Sequence, residues 1–251
     1  MSVLLALDSS TEHMALALVG QGHAAFLDAD GGTLASRRIV PDAMALLRQA
    51  GVPLSAVDAV AFGRGPGAFT GLRTACSVAQ GLALGAGKPV LALDSLMLVA
   101  EDARAQWLAE GGDDAALDVW VAMDARMNQV YLGRYRWNGT RWTTTFEPAL
   151  TDLDPLRALW RDAPPAIVAG TALGAFELDT GAARRFPDTV SRARALGALA
   201  AQAFDAGLAE DAAQALPLYV RDKVALTTAE REAAKAASGE STADAAGGAP
   251  R

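Results

Sequence analysis

Cysteine and histidine are scarce in this 251-residue sequence, which has one cysteine, Cys76, and two histidines, His13 and His23. A lone cysteine forms no internal disulfide, which agrees with a reducing compartment without establishing one. Both histidines fall in or near the first hairpin, and with Cys76 they do not supply the three or four spaced ligands that a metal centre requires. The sequence therefore predicts two solvent-facing loop histidines, no metal site and no cofactor held by this chain alone. Long apolar runs are also missing, each being broken by Asp, Gly or Arg well short of the roughly 18–20 residues that span a bilayer. No basic leader precedes the run Val3–Leu7, and Asp8 follows it at once. That run is expected to be a buried strand of a cytoplasmic protein rather than an export signal. A basic surplus is lacking too, since the formal net charge is −7. A protein that grips a phosphate backbone unaided normally presents a basic face, so any work on RNA is expected to be indirect or shared.

What is present is apolar content of 51%, enough for a large core. Val3–Asp8 reads as an apolar strand ending on a carboxylate, and Met14–Val19 answers it after a polar turn, a hairpin signal. The pattern returns at Trp120–Asp124 and Val130–Tyr135, again with Asp at the strand end, which we read as an internal repeat. Between the copies the sequence predicts a helix beginning between Ala35 and Pro41, with Ile39, Ala43, Leu46, Leu47 and Ala50 on one face and Pro41 within its first turn. A strand at Val57–Phe62, a helix from about Thr70 to Leu84 and a strand at Pro89–Leu93 follow, and then a helix capped by Ser95. After the second hairpin come a helix around Leu153–Trp160, a strand at Ala166–Ala169 and an Ala-rich helix over about Ser191–Gly207. Such alternation in two copies predicts an α/β protein of two lobes, 1–98 and 99–226, each a mixed sheet flanked by helices. Residues 227–251 hold no large apolar side chain and are expected to form a disordered tail.

The glycine-rich segment Gly63-Arg64-Gly65-Pro66-Gly67-Ala68-Phe69-Thr70-Gly71-Leu72-Arg73 sits between a strand and a helix. Its pattern fits an anion cradle at a helix N-terminus, flanked by Arg64 and Arg73, and fits equally a structural strand-to-helix turn. It is not a Walker loop, because the spacing to Lys and Ser or Thr is wrong. The helix after it is rich in small residues, Ala75, Ala79, Gly81, Ala83 and Gly85, and the preceding helix has Val40 and Met44 on a second side. Two neighbouring helices with surplus apolar surface point to a helical interface.

Asp8-Ser9-Ser10-Thr11, the glycine-rich segment, Ala79–Gly85, Met123-Asp124-Ala125-Arg126 with Val130-Tyr131, and Pro217-Leu218-Tyr219-Val220-Arg221 together resemble the TsaB family, also called YeaZ. The resemblance covers about residues 1–226 and implies the two-lobed actin-like, sugar-kinase-like (ASKHA) fold. It further implies a non-catalytic subunit that dimerises with the paralogue TsaD, is joined by TsaE, and supports threonylcarbamoyl transfer to adenosine 37 of transfer RNAs reading codons that begin with A. Contact with RNA would be through the complex, and homodimerisation without TsaD is left open. The implied interface uses Arg38, Ile39, Val40, Met44 and Leu47 on the first helix. On the second it uses Thr70, Leu72, Arg73, Ala75, Cys76, Ala79 and Ala83. TsaD carries a His-x-x-x-His metal motif on the equivalent first helix, whereas Gly32–Ile39 here has no histidine. Asp8 and Asp124 stand where an actin-like ATPase holds magnesium and phosphate, which keeps an ATPase or kinase reading in view. Neither Asp8-Ser9-Ser10-Thr11 nor Asp124-Ala125-Arg126 has the glycine that active kinases place there, so these are expected to be degenerate phosphate-loop positions. An older glycoprotease label for the wider family suggests peptidase activity, for which two histidines confined to one hairpin offer few partners.

Overall fold

The computed structural model describes residues 2–221. The expected tail at 227–251 lies outside the described residues, and residues up to Val220 form one compact unit. The first sheet contains β1 (Leu4–Asp8), β2 (His13–Gly20), β3 (His23–Asp30), β4 (Ala59–Gly65) and β5 (Val90–Asp94) in the order β3-β2-β1-β4-β5. The second contains β6 (Leu117–Asp124), β7 (Gln129–Trp137), β8 (Trp142–Asp152), β9 (Ile167–Ala169) and β10 (Arg184–Phe186) in the order β10-β9-β6-β7-β8. Each sheet is an antiparallel three-strand meander extended by two parallel strands, and read from the meander edge the two orders coincide. Helices fall at the same places in both copies: α1 (Ala35–Gln49), α2 (Phe69–Ala86) and α3 (Ser95–Ala109) in the first, α4 (Leu153–Asp162), α5 (Ala172–Ala175) and α6 (Arg192–Asp205) in the second. The repeat expected from two Asp-ended hairpins is thus a duplication of the whole topology. The division expected at 98/99 falls in the first turn of α3.

Three helical layers separate and cover the sheets. On the outer face of the first sheet, Leu5, Leu7, Leu16, Leu18, Val60 and Phe62 pack against Ile39, Leu46 and Leu47 of α1 and Ala75, Ala79 and Ala83 of α2. Its inner face is alanine-rich, with Ala6, Ala15, Ala17, Ala59 and Ala61 meeting α3 and α6. Small residues there let a helix lie close, and a Cβ on Gly197 of α6 would come within 2.8 Å of Val19 Cγ1. The same central layer covers the inner face of the second sheet through Leu98, Val99, Val119 and Val121, while α4 and α5 cover its outer face around Trp160. The copies brace each other, α6 lying on β1 and β2 and α3 on β6 and β7.

Local departures from the sequence reading have physical causes. Pro41 lies inside α1 beyond its first turn; the missing donor leaves the carbonyl four residues back, on exposed Arg37, to water. α3 is capped by Asp94 rather than Ser95: Asp94 Oδ1 accepts from Leu96 N at 2.8 Å and Met97 N at 3.3 Å. Ser95 is turned instead toward Asp8. His13 and His23 open strands β2 and β3 instead of lying in loops.

Tyr135, on β7, donates to the second oxygen of Asp94 at 2.7 Å. Burial, then the adjacent Asp94 charge, holds the Tyr135 phenol well above its ordinary value, and burial likewise raises the Asp94 carboxyl. A raised folded-state pKa contributes stability below the unfolded value and loses it as pH rises, so the unfolded chain deprotonates first above the ordinary tyrosine range. Urea midpoints measured between about pH 9 and pH 11 should fall more steeply for wild type than for Tyr135→Phe. Equal slopes would show that this phenol does not set the alkaline limit.

Candidate functional site

A cavity of about 370 Å³ opens between the sheets. Its walls come from the β1–β2 turn (Ser10, Thr11, Glu12), the β4–α2 loop (Pro66, Gly67, Ala68), the β6–β7 turn (Asp124, Ala125, Arg126), Thr171 and Ala175 around α5, and Arg192 at the start of α6. The turns that follow both Asp-ended strands therefore converge on one cleft, with Asp124 on its wall and Asp8 buried behind Ser10.

Asp8 does not face it freely. Its side chain is 0% exposed and forms an ion pair with Arg192 Nη2 at 2.9 Å. Oδ1 also accepts from Ser10 Oγ at 2.9 Å and Ser10 N at 3.3 Å, and Oδ2 from Ser95 Oγ at 3.1 Å. A Cβ at Gly63 would fall 1.7 Å from Asp8 Oδ2, so only glycine lets β4 run beside this carboxylate. A carboxylate with its lone pairs committed to a buried arginine and two hydroxyls has little left to offer a metal-bound phosphate.

The glycine-rich segment is packed against its own chain. β4 runs on through Gly63 and Arg64 to Gly65, and the turn beyond is filled by the chain itself. Ala68 N donates to Ser10 O at 2.7 Å, Ser9 Oγ donates to Gly71 O at 2.8 Å, and a Cβ on Gly71 would lie 1.8 Å from Ser9 O. Backbone of the Ser9–Ser10 turn thus packs against the start of α2, as a structural strand-to-helix turn requires, while Pro66, Gly67 and Ala68 also line the cavity. Phe69 and Arg73 serve it differently: Arg73 stacks over Phe69 at 3.8 Å, donates to Tyr219 OH at 3.0 Å, and so ties the closing Pro217–Val220 stretch to α2.

At the second strand end, Asp124 Oδ1 accepts from Arg126 N at 2.8 Å and Asp124 N donates to Thr171 Oγ1 at 3.1 Å. Arg126, Met127 and Asn128 all take left-handed backbone angles, and Arg126 reaches across the cleft to an ion pair with Glu12. Among the described residues, no group of three or more His, Cys, Asp and Glu is placed to hold a metal, and no helix is long and apolar enough to cross a membrane.

The helical interface needs correction. Ile39, Leu47, Leu72, Ala75, Cys76, Ala79 and Ala83 are buried in this chain's own core, because the small residues of α2 are what seat it on the bulky outer face of the first sheet. Of the expected positions, Arg38, Val40, Met44, Thr70 and Arg73 reach the surface. They are joined by Gly81 and Gly85, two of the small residues noted on this helix, and by Ser77 and Leu84, with Leu84 61% exposed and Val40 on neighbouring α1 39% exposed.

Comparison with known proteins identifies the fold around these features. The family model described as "TsaD: tRNA N6-adenosine threonylcarbamoyltransferase" matches residues 34–230. The Escherichia coli (strain K12) tRNA threonylcarbamoyladenosine biosynthesis protein TsaB is 31% identical over 235 residues, 88% of this chain and 96% of that protein. This chain belongs to the TsaB family. The Haemophilus influenzae TsaB is 41% identical over 131 residues, and the aligned part spans 52% of either chain, about half the length of that relative. Among solved structures, YeaZ from Pseudomonas aeruginosa aligns with a TM-score of 0.75 at 39% identity, covering 87% of this chain and 100% of that one. A second Pseudomonas aeruginosa structure, of an uncharacterized protein described as similar to the peptidase YeaZ, reaches 0.77 at 39% identity and covers 88% of this chain and 100% of its own. The paired mixed sheets are thus the fold of these YeaZ structures. The cleft-side hydroxyls have partners within the chain: Ser9 Oγ donates to Gly71 O, and Ser10 Oγ and Ser95 Oγ donate to Asp8.

Proposed function

We propose that this chain is the non-catalytic subunit of a tRNA threonylcarbamoyladenosine synthase, and that it pairs through the exposed sides of α1 and α2 with a TsaD-type catalytic subunit. The observation that carries this reading is the fate of Asp8, the strand-end carboxylate an actin-like ATPase would keep for magnesium, which is buried and held by Arg192, Ser10 and Ser95. With that carboxylate committed and the glycine-rich turn filled by its own backbone, the chain's outward resource is a surface. The match of residues 34–230 to the TsaD model adds a geometric reason. Two chains of one ancestral fold can set equivalent helices against each other about a pseudo-twofold axis, as isologous dimers do. A TsaE-type ATPase would join that pair, transfer RNA would be met through the complex, and adenosine 37 of transfer RNAs reading codons that begin with A would receive the threonylcarbamoyl group. Work on transfer RNA fits a cytoplasmic protein that needs no metal or nucleotide of its own.

The test is reconstitution. The purified chain alone should neither hydrolyse ATP nor modify transfer RNA. Added to TsaD and TsaE from the same cell, it should co-elute with TsaD, and its omission should abolish modification. ATP turnover by the chain alone would favour the independent ATPase reading, and full modification without it would overturn the partner role.

A further inference from the structure

Residues 207–220 follow α6 and close over the first sheet with their burial inverted. They pass the β5 edge, where Glu210 and Val90 exchange backbone hydrogen bonds at 2.9 Å, and then run back along α2. Gln80 Nε2 donates to Ala212 O at 3.0 Å and to Ala215 O at 3.2 Å, and Cys76 Sγ donates to Ala215 O at 3.4 Å. Arg73 donates to Tyr219 OH, and the Tyr219 and Phe69 ring centroids lie 5.1 Å apart. Phe69, Arg73, Cys76 and Gln80 share one side of α2, so the stretch lies antiparallel along that helix as a strap. It is small alanines that the strap turns inward, Ala212 at 3% and Ala215 at 1% exposure, while Leu208 (65%), Leu216 (73%) and Tyr219 (44%) are held outward. An inward leucine would stabilise the fold. An outward one leaves apolar surface for something else to cover.

Sheet order fixes where that surface lies. α1 covers β2, α2 covers β4 and the strap passes β5, so α1 and the strap flank α2 on opposite sides. An obligate contact takes on the order of 1,000 Å² from each partner, over roughly 20–30 residues a side and with an apolar centre. Among the described residues, Val40 and Leu84 are the exposed large apolar side chains of α1 and α2, and Ser77, Gly81 and Gly85 beside them add little area. Leu216 and Tyr219 continue the patch past α2 and supply apolar area that the two helices lack.

We propose that the strap is part of the docking surface for the catalytic subunit, with Leu216 and Tyr219 packing on an apolar helix of a TsaD-type partner laid across α2. The strap contact presupposes the partner reading above and adds a third element to its surface.

Titration of TsaD from the same cell with the full chain and its Leu216→Asp and Leu216→Ser variants tests the contact. Leu216→Asp should weaken pairing roughly tenfold or more and Leu216→Ser severalfold, both at the wild-type melting temperature, because the side chain is solvated in the free chain. Val190→Asp is the control. Val190 is 74% exposed, and its backbone is held by Asp102 of α3, on the other face of the first sheet from α1 and α2, so this change should leave pairing unaltered. Wild-type pairing by Leu216→Asp, or equal weakening by Val190→Asp, overturns the strap contact while leaving the partner reading in place. The same holds if Leu216→Asp abolishes only self-association of the chain alone, which gives the surface to a second copy. Failure of the wild-type chain to pair with TsaD overturns both.

Discussion

Gly81→Trp should abolish co-elution with a TsaD-type partner while leaving circular dichroism and melting temperature at wild-type values. Gly81 lies on the outward side of α2, and a Cβ built there has no atom within 4 Å. Replacing a mid-helix glycine removes a propensity cost of up to about 1 kcal/mol, so the isolated chain is not expected to suffer. An obligate contact should bury on the order of 2,000 Å² with an apolar centre. A bulky ring there holds the helices apart and should cost roughly 2–4 kcal/mol of pairing, about 30-fold to 1,000-fold in affinity. Leu84→Glu, one turn on, should act the same way by placing a charge in that centre. Ala79→Trp provides the contrast. Ala79 is 0% exposed and seats α2 on the first sheet, so its replacement should unfold the chain by overpacking. Wild-type pairing by folded Gly81→Trp and Leu84→Glu would move the interface elsewhere.

Arg192→Met should destabilise the isolated chain by roughly 3–5 kcal/mol, because it leaves Asp8 buried and ionised without its cation. For a folded unit of this size that corresponds to a fall of roughly 6–20 °C in melting temperature. Pairing Asp8→Asn with Arg192→Met should recover part of the loss, since the double change removes both charges and leaves hydrogen-bonding groups that Ser10 and Ser95 can meet. A double variant as unstable as the sum of the two singles would show that the residues are not coupled, and that the carboxylate is held by other contacts.

Much of the fold was legible because the signals were local. The Asp-ended strands β1 and β6, the apolar face of α1 and the Ala-rich periodicity of α6 each appear within a short window. Strands β3 and β8 were not legible. Each is an edge strand exposed on much of its length, and His-Ala-Ala-Phe-Leu-Asp and Trp-Thr-Thr-Thr-Phe-Glu lack a clear period-two alternation. α5, the counterpart of eighteen-residue α2, has shrunk to four residues, too short to show a helical period. In the site, the repeated Asp-ended strands pointed to the two turns that wall the cleft, after β1 and after β6, but gave no hint of Arg192, whose partner lies 184 positions away. The small residues of α2 misled for a related reason. Close approach is needed equally by a partner helix and by a protein's own sheet, and only burial tells which one uses it.

The exchange of central helices between the two copies bears on how the chain emerges from the ribosome. β1 and β2 are made first, yet the alanine face they present waits for α6, made only after the entire second sheet. At roughly 5–20 residues per second that interval lasts several seconds or more, during which apolar surface stays uncovered. The nascent first half is therefore a natural client for a holdase chaperone, and a ribosome stalled after β5 should display a protease-sensitive, dye-binding intermediate in place of a finished lobe.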